Sequence, residues 1–481
     1  MLQLRPILFA LGLMLCTIAA TMLLPALVDL ADDHDGWEAF AASSIVTFFA
    51  GGLLVLFAYD ENPGRIGVKE GFLLTSVAWV VIAAFAALPF LGHGLSYTDA
   101  YFETMSGLTT TGSTVMAGLE NQPRGILLWR ALLCGMGGLG IIVIAIIMLP
   151  FLRVGGMQLF QTESSDKSEK VLPRAFELTL ATAAVFAGLV LLCAFFYWWF
   201  GMKGFDAICH ALPTVSTAGF SNYDSSFSYY KEPAIHWTAT IFMALGAMPF
   251  VVFIKMVRGD QTALWYDVQV RAFVGFLVAV SLIMAFWLIF TRNISFFDAI
   301  TLSSFNVTSI VTTTGFMSDD YTKWGNFAIG VFFLLTFVGG CSGSTAGAIK
   351  IYRLQIAHML ARSHFLHLIS PSRVVTLTYN GRRLPADVPF SVVAFLAIYF
   401  AVVGLFAVIY AGLGLDFVTS LSASATALGN VGPGLGEIIG PAGNYVPLPD
   451  AAKWALAFQM VLGRLELFTV LVLFRPEFWR S

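Results

Sequence analysis

Eight stretches of this chain are long and almost purely apolar: 7–28, 72–91, 126–152, 178–200, 272–290, 327–338 with its continuation, 390–411 and 454–474. About 20 apolar residues carry a helix across the hydrocarbon core of a bilayer. Lipid offers no water to backbone N–H and C=O groups, so a spanning segment must satisfy them itself, as a helix does. Only 11% of the 481 residues are charged, against ~25% in a soluble domain. The chain reads as an all-α polytopic membrane protein, and lipid is its surroundings.

The N-terminus carries Arg5 ahead of an apolar stretch that runs to Val28. That stretch exceeds the apolar region of a signal peptide, so a retained first span is expected. Basic residues fall in alternate loops. One set is Arg5, Arg65, Lys69, Arg153, Lys167, Lys170, Arg174, Lys255, Arg258, Arg271, Lys350, Arg353, Arg362, Arg373, Arg382, Arg383, Arg475 and Arg480. The loops between them hold few, such as Lys203, Lys231, Arg292 and Lys323. Cytoplasmic loops carry the excess, which puts both termini in the cytoplasm of a multi-pass plasma-membrane protein. Cys16, Cys134, Cys193, Cys209 and Cys341 show no CxxC spacing, so neither a disulfide nor a zinc site is expected. A net charge of −3 gives no reason to expect nucleic acid.

A repeat lies beneath the apolar pattern. YTDAYF (97–102) precedes TTTGS, GFDAIC (204–209) precedes STAGF, FFDAIT (296–301) precedes TTTGF, and LDFVTS (415–420) precedes GNVGPG. Asp99, Asp206, Asp298 and Asp416 lie 13, 13, 17 and 16 residues before Gly112, Gly219, Gly315 and Gly432. Such segments are too short to span. Each predicts a half-length helix capped by its Asp, with the negative end of its dipole aimed at the glycine stretch. The plan per repeat is span, re-entrant half-helix, extended segment, span. The chain then divides into two N-terminal helices (1–60) and four pore repeats, 66–155, 172–260, 268–365 and 385–481.

Irregular backbone at membrane depth is tolerated where it is buried or lines water. Four such segments related by pseudo-fourfold symmetry would close a ring of carbonyls that replaces an ion's hydration shell, as potassium filters do. The residues expected to form it are Thr110, Thr111 and Gly112, then Thr217, Ala218 and Gly219, then Thr313, Thr314 and Gly315, then Asn430, Val431 and Gly432. They would bind K⁺ through backbone oxygens.

The span after the third repeat runs into Gly339-Gly340-Cys341-Ser342-Gly343-Ser344-Thr345-Ala346-Gly347. Four glycines within such a stretch argue against continuous helix, and its depth puts it below the ring. It reads as an intramembrane gate loop, or else as a small-residue packing face. Arg464 sits near the middle of the last span, where a charge is a functional hypothesis. Below a ring its charge would repel a cation. Glu466 is two residues away and does not share its helix face. Lys350 is either a second charge at the gate or one of the topogenic set. Arg130 is expected to pair with Glu103. The outer acidic residues Glu103, Asp224, Asp319, Asp320 and Glu437 are each either a local cation attractor or an ordinary solvated loop residue. His210, behind the second repeat, is expected to be packed. GSTAGAIK lacks Walker spacing and Gly135–Gly140 matches GxGxxG inside an apolar span, so neither predicts a nucleotide site.

With the four filter segments, GGCSGSTAGAIK (339–350) and GRLELFTVLVLF (463–474), the whole chain resembles the Trk/Ktr/HKT superfamily of potassium transporters, and most closely its bacterial TrkH branch. The resemblance implies a pore within one chain, a homodimer and a cytosolic nucleotide-binding partner of the TrkA type. It also implies a gate loop at 339–347 and an arginine barrier at Arg464. A serine in the first repeat goes with sodium preference in some plant relatives, so Gly112 favours potassium. Asn430-Val431-Gly432-Pro433 departs from the TTG pattern and makes the ring asymmetric. The polar stretches 153–174 and 350–387, with Arg353, His358, Arg362, His364, His367, Arg373, Arg382 and Arg383, are expected to dock the partner. The expected function is channel-like potassium uptake across a bacterial plasma membrane, gated by the loop. A K⁺/H⁺ or K⁺/Na⁺ symporter is the alternative, and a polytopic membrane enzyme a more distant one. No carboxylate dyad, nucleophile–base pair or metal cluster suggests catalysis.

Overall fold

The computed structural model describes residues 3–60, 67–148, 171–385 and 387–480. Among them seven helices are long and apolar enough to cross a membrane: Leu4–Ala31, Gly36–Ala58, Lys69–Gly92, Arg124–Val143, Glu177–Trp199, Val268–Arg292 and Asp387–Gly412. Their outward faces carry bare apolar side chains, such as Leu56, Phe57, Phe290 and Phe390. So much exposed apolar surface is stable only against lipid or another protein. The first two helices pack through glycine. A Cβ on Gly12 would lie 2.7 Å from the Gly51 carbonyl oxygen, and one on Gly51 would lie 2.8 Å from that of Gly12. Close backbone approach through small residues is how helices associate in a bilayer.

Four half-helices follow the expected repeats: Tyr97–Leu108, Gly204–Val215, Phe296–Val311 and Phe417–Gly429. Their 12, 12, 16 and 13 residues reach about 18–24 Å at 1.5 Å per residue, short of the ~30 Å hydrocarbon core. The caps differ from the expectation. Only Asp416 is an N-cap, accepting from Thr419 N at 3.0 Å. Contacts with Thr419, side chain first and backbone second, hold its carboxyl below the ordinary carboxylate value. In the first and third half-helices Ser96 and Ser295 are the caps. Each hydroxyl accepts from the N–H of Asp99 or Asp298 at 3.1 Å and donates to that residue's carboxylate at 2.8 Å. Asp then belongs to a reciprocal cap three residues inside the helix, where a carboxylate also suits the dipole. The second half-helix has Lys203 at its N-cap and no side-chain cap bond. Asp206 instead accepts from Asn222 Nδ2 and the Tyr223 hydroxyl at 2.8 and 3.0 Å.

The span after each half-helix packs inside the bundle. The first, Arg124–Met148, is one helix. The second breaks between Pro233–Gly246 and Phe250–Val257, which bend by 94°. Pro249 explains this, since it has no N–H to continue the ladder. The third breaks after Asn326–Leu335 and resumes at Ile351–Ile369. The fourth breaks between Asp450–Arg464 and Phe468–Phe474, which bend by 106°. Glu466 and Leu467 there have φ of 56° and 45°. The last span, read from the sequence as one apolar stretch over 454–474, is therefore broken, and three of the four inner spans break.

The polar stretch 350–387 is largely helix, Ile351–Ile369, followed by a two-residue hairpin of Thr378–Tyr379 on Arg382–Arg383. That hairpin is the only sheet among the described residues. Most of the other polar stretch, 153–170, lies outside the described residues, as does Arg65.

Candidate functional site

All four half-helices end with the same local structure. The residue after the last turn takes a left-handed conformation: Thr110 (φ 53°), Thr217 (53°), Thr313 (58°) and Asn430 (52°). The next N–H bonds back to the carbonyl five residues earlier, Thr111 to Ser106, Ala218 to Pro213 and Thr314 to Ser309 at 2.8 Å, and Val431 to Thr426 at 3.0 Å. This is the Schellman ending, normally built on glycine. A β-branched threonine there is a strained choice that its surroundings must hold. The hydroxyls help. Thr109 and Thr111 share a hydrogen bond of 2.8 Å, as do Thr312 and Thr314. Asn430 Nδ2 donates to Thr111 Oγ1 at 3.0 Å and to the Met460 carbonyl at 2.9 Å. The expected extended segment is thus a turn of alternating φ sign. Its third residue is again left-handed: Gly112 (φ 86°), Gly219 (78°), Gly315 (86°) and Gly432 (104°).

These glycines close a ring in cyclic order. A Cβ on Gly112 would lie 2.3 Å from the Ala218 carbonyl oxygen. One on Gly219 would lie 1.9 Å from Thr314 O, one on Gly315 2.3 Å from Val431 O, and one on Gly432 2.7 Å from Thr111 O. Each wall therefore presses a backbone carbonyl against the glycine of the wall before it. Glycine is required twice over, for its φ and for the absent side chain. All four glycines line one hollow on the side where the half-helices begin. The helices behind are glycine-matched too. A Cβ on Gly137, Gly246 or Gly463 would fall 1.9, 2.4 or 2.0 Å from the Leu108, Val215 or Leu428 carbonyl. The GxGxxG match at 135–140 is packing, as expected.

The 339–347 segment lies against the other side of this ring. Thr345 is fully buried, and its hydroxyl meets Gly246 O at 3.0 Å, Val215 O at 3.2 Å and Thr217 Oγ1 at 3.1 Å. Gly347 N donates to Thr313 Oγ1 at 2.7 Å, and Ala348 N to Gly429 O at 2.9 Å. Cys341 N donates to Ala247 O at 2.9 Å, Ser342 N to Gln269 Oε1 at 3.0 Å and Phe250 N to Gly343 O at 3.0 Å. A Cβ on Gly339 or Gly340 would strike Gly347 O at 2.2 Å or Ala247 O at 2.8 Å. Ser344 turns its hydroxyl back to Cys341 O at 2.6 Å, and Ala346 is buried. The segment thus bonds to the second and third walls, and Ala348, the residue after it, bonds to the end of the fourth half-helix.

Arg464 is 4% exposed and donates from Nη1 to Thr345 O at 2.7 Å. Its Nε and Nη2 have no hydrogen-bond partner, and neither have Thr110 Oγ1 and Asn430 Oδ1. These orphaned atoms are grouped beside the loop and the ring. Glu466 does not pair with Arg464. It pairs with Arg353, whose guanidinium carbon lies 3.8 Å from the Phe395 ring centroid. Arg353 is 1% exposed and so is no part of a docking surface, contrary to the expectation. Lys350 Nζ donates to the Ala346 carbonyl inside the loop itself.

Arg130 pairs with Glu103 at 2.8 Å, as expected, with both side chains buried. Glu103 is therefore not a solvated loop residue. Asp224, Asp319 and Asp320 are engaged as well, with Gly118 N, Arg292 and Thr322 respectively. Lys453, buried in the fourth unit, pairs with Asp99 of the first at 2.6 Å. Sequence reasoning missed this bridge and the central place of Thr345. Nothing local marks either one, because their partners lie 354 residues and about 100 to 130 residues away.

A family model described as a cation transport protein, TrkH, matches residues 37–481. The chain is 45% identical over 479 residues to the Trk system potassium uptake protein TrkI of Halomonas elongata, covering 99% of this chain and 97% of that one. It is 35% identical to the Trk system potassium uptake protein TrkH of Escherichia coli K12, with 98% of each chain covered. The crystal structure of the potassium transporter TrkH from Vibrio parahaemolyticus superposes over the full length of both chains, with a TM-score of 0.91 at 32% identity. On these grounds the chain belongs to the TrkH family of cation transport proteins.

Proposed function

We propose that this protein takes up potassium across a bacterial plasma membrane through the four-walled ring, with 339–347 as its gate. The observation that carries this is the cyclic contact of Gly112, Gly219, Gly315 and Gly432 with the carbonyls of Ala218, Thr314, Val431 and Thr111. A closed ring of carbonyls in walls of alternating φ sign offers oxygens to a dehydrated cation. Four half-helices end there, each adding about half a negative charge from its dipole. Filter oxygens come from Thr110, Thr111, Gly112 and their counterparts. Gly112, where a serine would mark sodium preference, supports potassium.

Below the ring, the loop and Arg464 close the path. The buried positive charge of Arg464 stands beside it, which sets a barrier to a cation. Both termini are cytoplasmic in this reading, and the chain works as a homodimer with a nucleotide-binding cytosolic subunit of the TrkA type. The exposed side chains Arg362, Phe365, Leu368, Arg373, Val374 and Arg383 provide a basic and apolar surface for it.

The deciding experiment is K⁺ and Na⁺ flux into liposomes, with and without the partner, and with an opposing proton gradient. Downhill K⁺ flux indifferent to the proton gradient supports the channel-like reading. Flux driven by that gradient would replace it with symport. Deleting 341–347 should speed flux in folded protein, whereas loss of folded protein would make the segment a packing face. Reversing Arg362, Arg373 and Arg383 to Glu should abolish pull-down of the partner.

A further inference from the structure

Beyond the ring, each half-helix returns one buried polar side chain to the strand that leaves its own glycine. Glu103 stands nine residues before Gly112. Its carboxylate accepts from Val115 N at 2.8 Å and from Thr114 Oγ1 at 2.9 Å. His210 stands nine before Gly219, with Nε2 3.0 Å from Ser221 Oγ and Nδ1 2.8 Å from Asp206 O. Asn306 stands nine before Gly315, donating to Ser318 Oγ at 2.8 Å and accepting from Ser318 N at 3.3 Å. Ser422 stands ten before Gly432, and its hydroxyl accepts from Leu435 N at 2.9 Å. All four are buried, at 0, 0, 0 and 3% exposure.

The recurrence is positional and not chemical. A carboxylate, an imidazole, an amide and a hydroxyl fill one place and reach the same target, two or three residues past the glycine. Four unrelated side chains do this, so the shared requirement is the tether. The reason lies in the ring. Each glycine is the most permissive residue of its wall, and without a restraint beyond it the preceding carbonyl can swing. The first tether is braced further. Arg130 binds Glu103, donates to Ser221 O at 2.7 Å and lies 4.2 Å from the Phe220 ring centroid. It thereby joins the first wall to the second, and its charge cancels the carboxylate beside the ion path.

We propose that Glu103, His210, Asn306 and Ser422 are positioning residues, one strut per wall, that fix the carbonyl spacing of the ring and so set its preference among monovalent cations. This rests on reading the ring as the filter. None of the four need touch the ion.

The test uses the full chain in liposomes, with separate K⁺ and Na⁺ fluxes and a thermal melt of each variant. Asn306→Leu and Ser422→Ala each remove a strut without stranding a charge. The K⁺/Na⁺ flux ratio should fall about tenfold, the scale of one buried hydrogen bond, with the melt cooperative and total cation flux retained. Ser422→Thr, which restores the hydroxyl, should restore the ratio. If Asn306→Leu does not fold, Ser422→Ala with its Thr control decides alone. An unchanged ratio in folded Ser422→Ala overturns the proposal. Gly112→Ser separates the two levels. If it shifts the ratio and the strut variants do not, only the struts fail. If Gly112→Ser also leaves the ratio alone, the filter reading falls and the struts with it.

Discussion

Arg464 of the fourth unit holds the carbonyl oxygen of Thr345 in the third at 2.7 Å. The charge and the loop beside the ring are therefore joined by a hydrogen bond, and in the proposed function the arginine braces the segment assigned as the gate. Arg464→Ala removes brace and charge together. Even a screened unit charge near an ion costs it ~1–4 kcal/mol, so flux should rise by about tenfold or more. Radiotracer uptake in liposomes measures this. Unchanged flux with a lowered melting temperature would leave Arg464 a purely structural role.

Thr345→Val keeps the shape of the side chain and removes its hydroxyl from Gly246 O, Val215 O and Thr217 Oγ1. The expected cost is about 1–3 kcal/mol, concentrated in the loop. Resting flux should rise severalfold while the global melt moves little. A large drop in melting temperature with no gain in flux would count against a gate.

Gly112→Ser forces a Cβ to within 2.3 Å of the Ala218 carbonyl oxygen at a φ of 86°. The first two walls must separate, so the K⁺/Na⁺ flux ratio should fall by about tenfold or more. Thr109→Ser keeps the hydroxyl that bonds Met105 O and Thr111 Oγ1, and should leave the ratio within about twofold. Equal effects from the two would move the selective element elsewhere.

Glu466→Gln removes the charge opposite Arg353, whose side chain is only 1% exposed. Stranding a buried cation costs about 3 kcal/mol or more, read as a lower thermal midpoint. Adding Arg353→Met should recover much of the loss, because two neutral groups then replace a buried cation that has lost its carboxylate. If the double variant is no better than Glu466→Gln alone, the pair is not the stabilising contact.

The repeats were legible in the sequence because each carries its own punctuation, an Asp at the start and a glycine at the end. The inner break at 339–347 was legible for the same reason, being dense in glycine. Less was legible where the signal is non-local. Pro249 marks the second inner break plainly in hindsight, yet it stands alone in an apolar run. The break at 465–467 has neither glycine nor proline, and Glu466 and Leu467 take left-handed backbone only because Arg353 and the surrounding packing hold them. The same limit hid the caps. Ser96 and Ser295 stand three residues before Asp99 and Asp298, and a reciprocal cap shifts the helix start by one turn without changing the pattern of apolar residues. Arg353 read as one more topogenic charge, since nothing near it in sequence announces Glu466.

The ring also carries an order of events. Three of its four seams join neighbouring units, but the last seam joins Asn430 to Thr111 and Ser113 to Gly432 across 319 residues. A nascent chain that has delivered three walls to the bilayer still lacks the fourth, together with Arg464 beneath it. The ring and the buried arginine beside it are then completed in the same final stretch of translation. On the proposed reading of ring and arginine, the membrane potential never meets a finished filter that lacks its barrier.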